Sequence, residues 1–312
     1  MRAILAVSVA IGALAAAGLY LHGGSLADEH ADVLAAHGLA AAPGAAPAHA
    51  AADPAGRDTA GVPSDASRRD APGASTRQAG DQVIVPLRVA GGRLLVPVEA
   101  GVGHAVDFVL ATGSATTVLT ESAAGHLGED FILTLGGLPV PTEGFRTIAD
   151  DRLAVEGELI GGMIGANMLS RFDVLIDVPG GRLVLKQPGS EVSWDGVELS
   201  DPVRVRVLHG IVLSFDIELD GRPYPATIDL GTPIVIANPA VQAETGIADE
   251  DTATITLGGA TLRDVPVEVI DIESLRRWVP DGGGFVLLGA PITYDCPLSL
   301  SWAHAELRSC AR

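Results

Sequence analysis

From Asp81 onward the chain writes one order of features twice, so it is predicted to fold as two similar lobes. Residues 94–99, a turn at Ala100-Gly101-Val102-Gly103 and residues 105–110 read as a hairpin running into Ala111-Thr112-Gly113-Ser114. The second half has the same hairpin in residues 212–219, Asp220-Gly221-Arg222-Pro223 and residues 224–228, running into Asp229-Leu230-Gly231-Thr232. Leu133-Thr134-Leu135-Gly136-Gly137 is matched by Ile255-Thr256-Leu257-Gly258-Gly259, each a strand entering a hairpin tip. Met163-Ile164-Gly165 is matched by Leu287-Leu288-Gly289, and each half closes on a hairpin, at 172–185 and at 298–308. Four features in one order, offset by about 120 residues, exceed what short glycine motifs give by chance.

Composition agrees with strands rather than helices. Short β-branched runs are punctuated by 38 Gly and 20 Pro, and aromatic residues make up 4 %, which suits an all-β chain. The 39 acidic residues face 20 basic ones, and Lys186 is the one lysine, for a formal charge of -19. A chain so charged cannot neutralise phosphates, so nucleic acid is not expected as a partner.

The first 80 residues differ from the rest. Arg2 precedes an uncharged run from Ala3 to Leu21, and residues 1–27 read as a signal peptide or a retained membrane anchor. Residues 28–80 are Ala, Pro, Gly, Asp, Ser and Arg with few large apolar side chains, which predicts a disordered linker. His30, His37 and His49 within it are expected to be solvated. The remainder divides into an N-terminal lobe, 81–190, and a C-terminal lobe, 191–312. Export to the periplasm or cell envelope is the expected localisation.

The order hairpin, Asp-Thr/Ser-Gly, Gly-rich flap, apolar-apolar-Gly and closing hairpin resembles the aspartic peptidases of the pepsin-like and retropepsin-like fold, and most the two-lobed bacterial members. The resemblance covers roughly residues 84–308 and implies an all-β, two-lobed acid-protease fold built from an internal repeat. In that family each lobe supplies one catalytic Asp, and the two share a proton because carboxyls about 3 Å apart cannot both ionise. Here the resemblance places Asp229 as the remaining acid and Ala111 at the other acid's position, with Thr112, Gly113 and Gly231 retained. Leu230 stands where the family has Thr or Ser and cannot donate a side-chain hydrogen bond between loops. Gly136, Gly137, Gly258 and Gly259 are expected to line the inter-lobe cleft as flap-like tips.

Other residue sets carry less. Asp107 shares a strand face with Ala111, but four residues at about 3.3 Å each put it some 13 Å away. Asp173 and Asp177 fall in a closing hairpin and read as structural or surface acids. His104, His126, His209 and His304 lack ligand spacing, so no metal or other cofactor is expected. Gly101-Val102-Gly103 lies in a hairpin turn and is no dinucleotide fingerprint, and no Gly-x-Ser-x-Gly elbow occurs. Cys296 and Cys310, the two cysteines of a chain that reads as exported, are expected to form a disulfide across the closing hairpin.

Three functional readings follow. The first is a pseudoprotease that holds an extended peptide or protein segment in the inter-lobe cleft by strand addition. The second is an active aspartic endopeptidase using Asp229, with a homodimer bringing two copies of Asp229 together as one route. The third is an envelope scaffold with no cleft ligand.

Overall fold

The structure is a computed structural model that describes residues 77–79, 82–100, 105–127, 131–141, 145–155, 158–189, 191–208, 211–271 and 282–311. The signal peptide or anchor over 1–27 and nearly all of the linker over 28–80 lie outside these residues. Among the described residues no helix is long and apolar enough to cross a membrane.

The first half contributes β1 (Arg77–Ala79), β2 (Gln82–Pro86), β3 (Arg88–Ala90), β4 (Arg93–Ala100), β5 (Ala105–Leu110), β6 (Val118–Thr120), β7 (Leu133–Leu135), β8 (Leu138–Pro139), β9 (Arg146–Ile148), β10 (Ile160–Ile164), β11 (Asp173–Asp177) and β12 (Arg182–Lys186). Helices α1 (Glu121–Leu127) and α2 (Ala166–Leu169) are short. The second half contributes β13 (Val203–Arg204), β14 (Arg206–Leu208), β15 (Val212–Leu219), β16 (Arg222–Ile228), β17 (Val235–Ala237), β18 (Thr252–Leu257), β19 (Ala260–Val269), β20 (Val286–Leu288), β21 (Leu298–Ser301) and β22 (Glu306–Arg308), with helix α3 (Pro239–Thr245). The start of α3 is specified locally. Asn238 accepts from the Val241 amide, Pro239 opens the first turn, and Gly246 closes the helix in the left-handed conformation.

The two halves have matching strand orders, as the repeat predicts. The first lobe's sheet runs β8-β7-β4-β5-β10-β6-β9 with β3 beside β4, and the second runs β14-β15-β16-β20-β17-β19-β18. In both, a hairpin (β4–β5, β15–β16) is followed by a parallel partner (β10, β20) and then an antiparallel one (β6, β17). The parallel partners are buried along their length, which is why Ile160–Ile164 and Val286–Leu288 are apolar or glycine throughout rather than alternating. The lobes differ in one respect. In the second, β19 is one strand of 10 residues and β18 also pairs with β15, closing the sheet. The first lobe has the short β8 and β9 at its two ends.

A third sheet, β1-β2-β12-β11-β21-β22-β13, is shared by both halves and joins them, with β11 against β21 at its centre. The chain between the lobes crosses this sheet. Trp194 packs with Leu175, Val184 and Val192, and its ring nitrogen donates to Ser299 Oγ at 2.9 Å. Cys296 and Cys310 are bonded to each other across the β21–β22 hairpin. Asp177 fixes the other closing hairpin by accepting from the Gly180 amide at 2.9 Å and Arg182 Nε at 2.7 Å.

One boundary moves. The linker was expected to run to residue 80, but Arg77–Ala79 pairs with β2 in the register Arg77↔Ile84. An unpaired β2 would leave a row of backbone groups at the edge of the shared sheet, and β1 takes them.

Candidate functional site

The loops that follow β5 and β16 are built alike and face each other. The Ala111 amide donates to Ile164 O at 3.0 Å, and the Asp229 amide donates to Leu288 O at 2.9 Å. The Ala166 amide donates to Ser114 O at 2.7 Å, and the Ala290 amide donates to Thr232 O at 2.8 Å. Each loop is thus tied to the strand and turn that end its own lobe's apolar-apolar-Gly motif.

Between the loops the bonding is one-sided. Thr112 Oγ1 donates to Ile228 O at 3.2 Å and accepts from the Leu230 amide at 3.0 Å. Leu230 returns no side-chain bond and is fully buried in the core. Leu230 thus joins the contact through its backbone amide alone.

Asp229 is 2 % exposed, and one oxygen of its carboxylate is held by two backbone amides. Oδ1 accepts from the Gly231 amide at 3.0 Å and from the Gly113 amide of the other lobe at 3.1 Å; Thr232 Oγ1 stands 3.5 Å from Oδ2. This closeness requires glycine at 113. A Cβ there would lie 2.5 Å from Asp229 Cγ. Ala111 is 1 % exposed, and its methyl group would meet a Cβ on Gly231 at 2.9 Å. The structure therefore brings together Ala111, Thr112, Gly113, Asp229 and Gly231. Burial pushes the Asp229 carboxyl above the usual carboxylate range, opposed by the Gly231 and Gly113 amides, the charge of Arg93 and the Thr232 hydroxyl.

Arg93 was not singled out by its sequence. It is 1 % exposed, and neither Nη1 nor Nη2 has a hydrogen-bond partner among the described residues. Burial brings its guanidinium down to about 10, against the upward pull of Asp229. Its position follows from register. Leu95 pairs with Val109, the last pair of the β4–β5 ladder, and Arg93 opens β4 two residues beyond it, at the end of the hairpin where Ala111 follows β5. In the second lobe Ser214 pairs with Thr227, and Val212 opens β15 at the end where Asp229 follows β16. The available signal was a charged residue opening the apolar run Arg93-Leu94-Leu95-Val96, at the place where the repeat has Val212. The turn before it also touches the second lobe, since Tyr294 Oη donates to Gly92 O at 2.8 Å.

The paired glycines lie elsewhere, which corrects their expected place over the cleft. β7 joins β4 at Glu99 and Ala100, the end remote from Arg93, and β18 joins β15 at Glu218 and Leu219, the end remote from Val212. Arg93 to Glu99 is roughly 20 Å of strand at about 3.3 Å per residue. Gly136 and Gly137 form the tip between β7 and β8, while Gly258 sits against Val203 and Ser200, with Ser309 Oγ donating to Leu257 O at 2.7 Å. A groove of about 560 Å³ there is lined by residues 200–203, Gly258, Gly259 and Ala311. A Gly-Gly turn encodes a hairpin tip but not what the tip packs against.

The remaining candidates are dispersed. Arg88 holds both Asp107 and Glu158 at the surface. Asp173 is buried in β11, His126 contacts Ser122 O, and His304 follows β21. His104 and His209 lie outside the described residues. Among the described residues no group of three or more His, Cys, Asp or Glu side chains is placed to hold a metal ion.

Among solved structures, the chain is similar to an aspartic proteinase from Irpex lacteus, at 12 % identity and a TM-score of 0.46, over 74 % of this chain and 97 % of that one. No family model matches the chain, and no curated protein matches it. The two-lobed architecture is carried by the chain's own strand order and loop hydrogen bonds.

Proposed function

We propose that the chain is an exported pseudoprotease: a two-lobed, aspartic-proteinase-like frame that binds an extended peptide or protein segment between its lobes and does not cleave it. The observation that carries this reading is the state of Asp229. Peptide hydrolysis by this fold needs one carboxylate to take a proton from water while another acid gives one to the carbonyl. Ala111 offers a methyl group for the second role. Asp229 is 2 % exposed, and its Oδ1 already accepts two amide hydrogens.

The segment would add as a strand. Main-chain hydrogen bonds supply most of the affinity in that mode, and the first lobe's sheet is open, ending on the short β9 beside β6 instead of closing on itself. Export is supported by the uncharged run Ala3 to Leu21 and by the Cys296–Cys310 bond, which persists in oxidising compartments.

The test is retention of reduced, carboxymethylated casein by the immobilised full-length chain. Casein retained and recovered at its intact mass supports the reading. Casein that passes through unretained favours a scaffold without a cleft ligand. Fragments whose formation stops with Asp229→Asn would establish an endopeptidase instead.

A further inference from the structure

We propose that Arg93 is the positioning residue that replaces the missing acid, a built-in counter-charge that holds the Asp229 carboxylate at the lobe boundary. In a pair of facing acids, one shared proton supplies the positive charge that lets the two groups sit together. At this boundary one acid is gone, and a buried arginine opens β4 just beyond the Leu95–Val109 pair, at the end of the hairpin where the alanine follows β5. The second lobe supplies the comparison. There the acid remains and the residue opening the matching strand, β15, is the uncharged Val212. The exchange is reciprocal: acid with valine in one lobe, alanine with arginine in the other.

Burial makes the exchange consequential. A guanidinium with two terminal nitrogens lacking partners is costly away from water unless an opposite charge is near. Asp229 is that charge. From β4 the group acting on Asp229 is Arg93. From its own loop come the neutral Gly231 amide and Thr232 hydroxyl, and from the facing loop the neutral Gly113 amide. Tyr294 is fixed on Gly92 O, with burial pushing its phenol up to about 12, so it brings no charge. Arg93 acts through charge across a gap, since its Nη1 and Nη2 make no direct hydrogen bond to the carboxylate.

The inference rests on the reading of Asp229 as a locked, non-catalytic acid, and its test uses no activity, so the two can fail separately. The full-length chain is unfolded in urea across a pH series, with and without Asp229→Asn, and the difference gives the titration midpoint of Asp229 in the folded state. The same pair is then measured with Arg93→Met, Arg93→Gln or Arg93→Lys. Met and Gln both remove the charge, one apolar and one polar, so the question survives if either fails to fold. The expected result is a midpoint raised by about one pH unit or more, a tenfold weaker acid, when the charge is removed, and a midpoint near the wild-type value with Arg93→Lys. A midpoint unmoved by loss of the charge would overturn the proposal, leaving Arg93 a packing residue. A midpoint raised equally by Arg93→Lys would overturn it too, because that variant keeps the charge.

Discussion

The Gly113 amide of the first lobe donates to Asp229 Oδ1 of the second at 3.1 Å. This bond crosses the lobe boundary and ties the two loops together through one carboxylate oxygen. With the Gly231 amide on the same oxygen, Asp229 satisfies donors from both loops at once. The space this needs is that of a glycine, and the charge it needs is answered by Arg93.

Gly113→Ala should therefore destabilise the fold. Its Cβ would fall 2.5 Å from Asp229 Cγ, where neither backbone nor carboxylate can withdraw. A loss of about 1–3 kcal/mol is expected from overpacking, read as a lower urea midpoint. Asp229→Gly in the same chain should recover part of it, and a wild-type midpoint in Gly113→Ala alone would show that the loops are looser than described.

Thr112→Val should cost more than Thr112→Ser. Thr112 Oγ1 serves both Ile228 O and the Leu230 amide, so removing it strands two buried groups, a loss of about 3 kcal/mol. Serine keeps the hydroxyl and should retain most of the stability. Equal losses for the two variants would place the effect in the methyl group instead.

The Cys296–Cys310 bond closes a loop with a sequence separation of 14, for which the chain-entropy model gives about 3 kcal/mol. Alkylating the native protein without reductant should add no label to its intact mass. Uptake of two labels would show free thiols.

Stability should also fall as the pH rises through neutrality. Burial, then the neighbouring Asp249 carboxyl, pushes Glu268 up to about 7 from its ordinary 4.5. An acid raised on folding contributes stability that is full below pH 4.5 and lost as the pH passes about 7. Asp229 is raised as well and acts in the same sense. Glu268→Gln should flatten this part of the urea-midpoint profile, and an unchanged profile would place the titration elsewhere.

Much of this architecture was legible because the repeat compares like with like. The hairpins before Ala111 and Asp229, their loops and the apolar-apolar-Gly strands all recur in order, and they became β4–β5, β15–β16, β10 and β20. What stayed hidden depends on neighbours far apart in sequence. Arg93 differs from its counterpart Val212, so the repeat does not mark it, and its place matters only because folding buries the start of β4 at the end of the hairpin where Ala111 follows β5. Gly258 signals a turn but not that the turn meets Ser200 and Val203. β1 was missed because Arg77–Ala79 has the composition of the linker, and only the edge of β2 makes it a strand.

The central claim, that a lone and clasped Asp229 does not hydrolyse peptides, is tested most directly by the mass spectrum of unfolded casein after incubation with the full-length chain from pH 3 to 7, alongside Asp229→Asn. With general acid-base help worth about 100 to 10,000-fold per positioned group, losing one partner should leave no fragments above the level of the Asp229→Asn control. Fragments that accumulate with the wild-type chain, respond to a pepstatin-type inhibitor and vanish with Asp229→Asn would contradict the account.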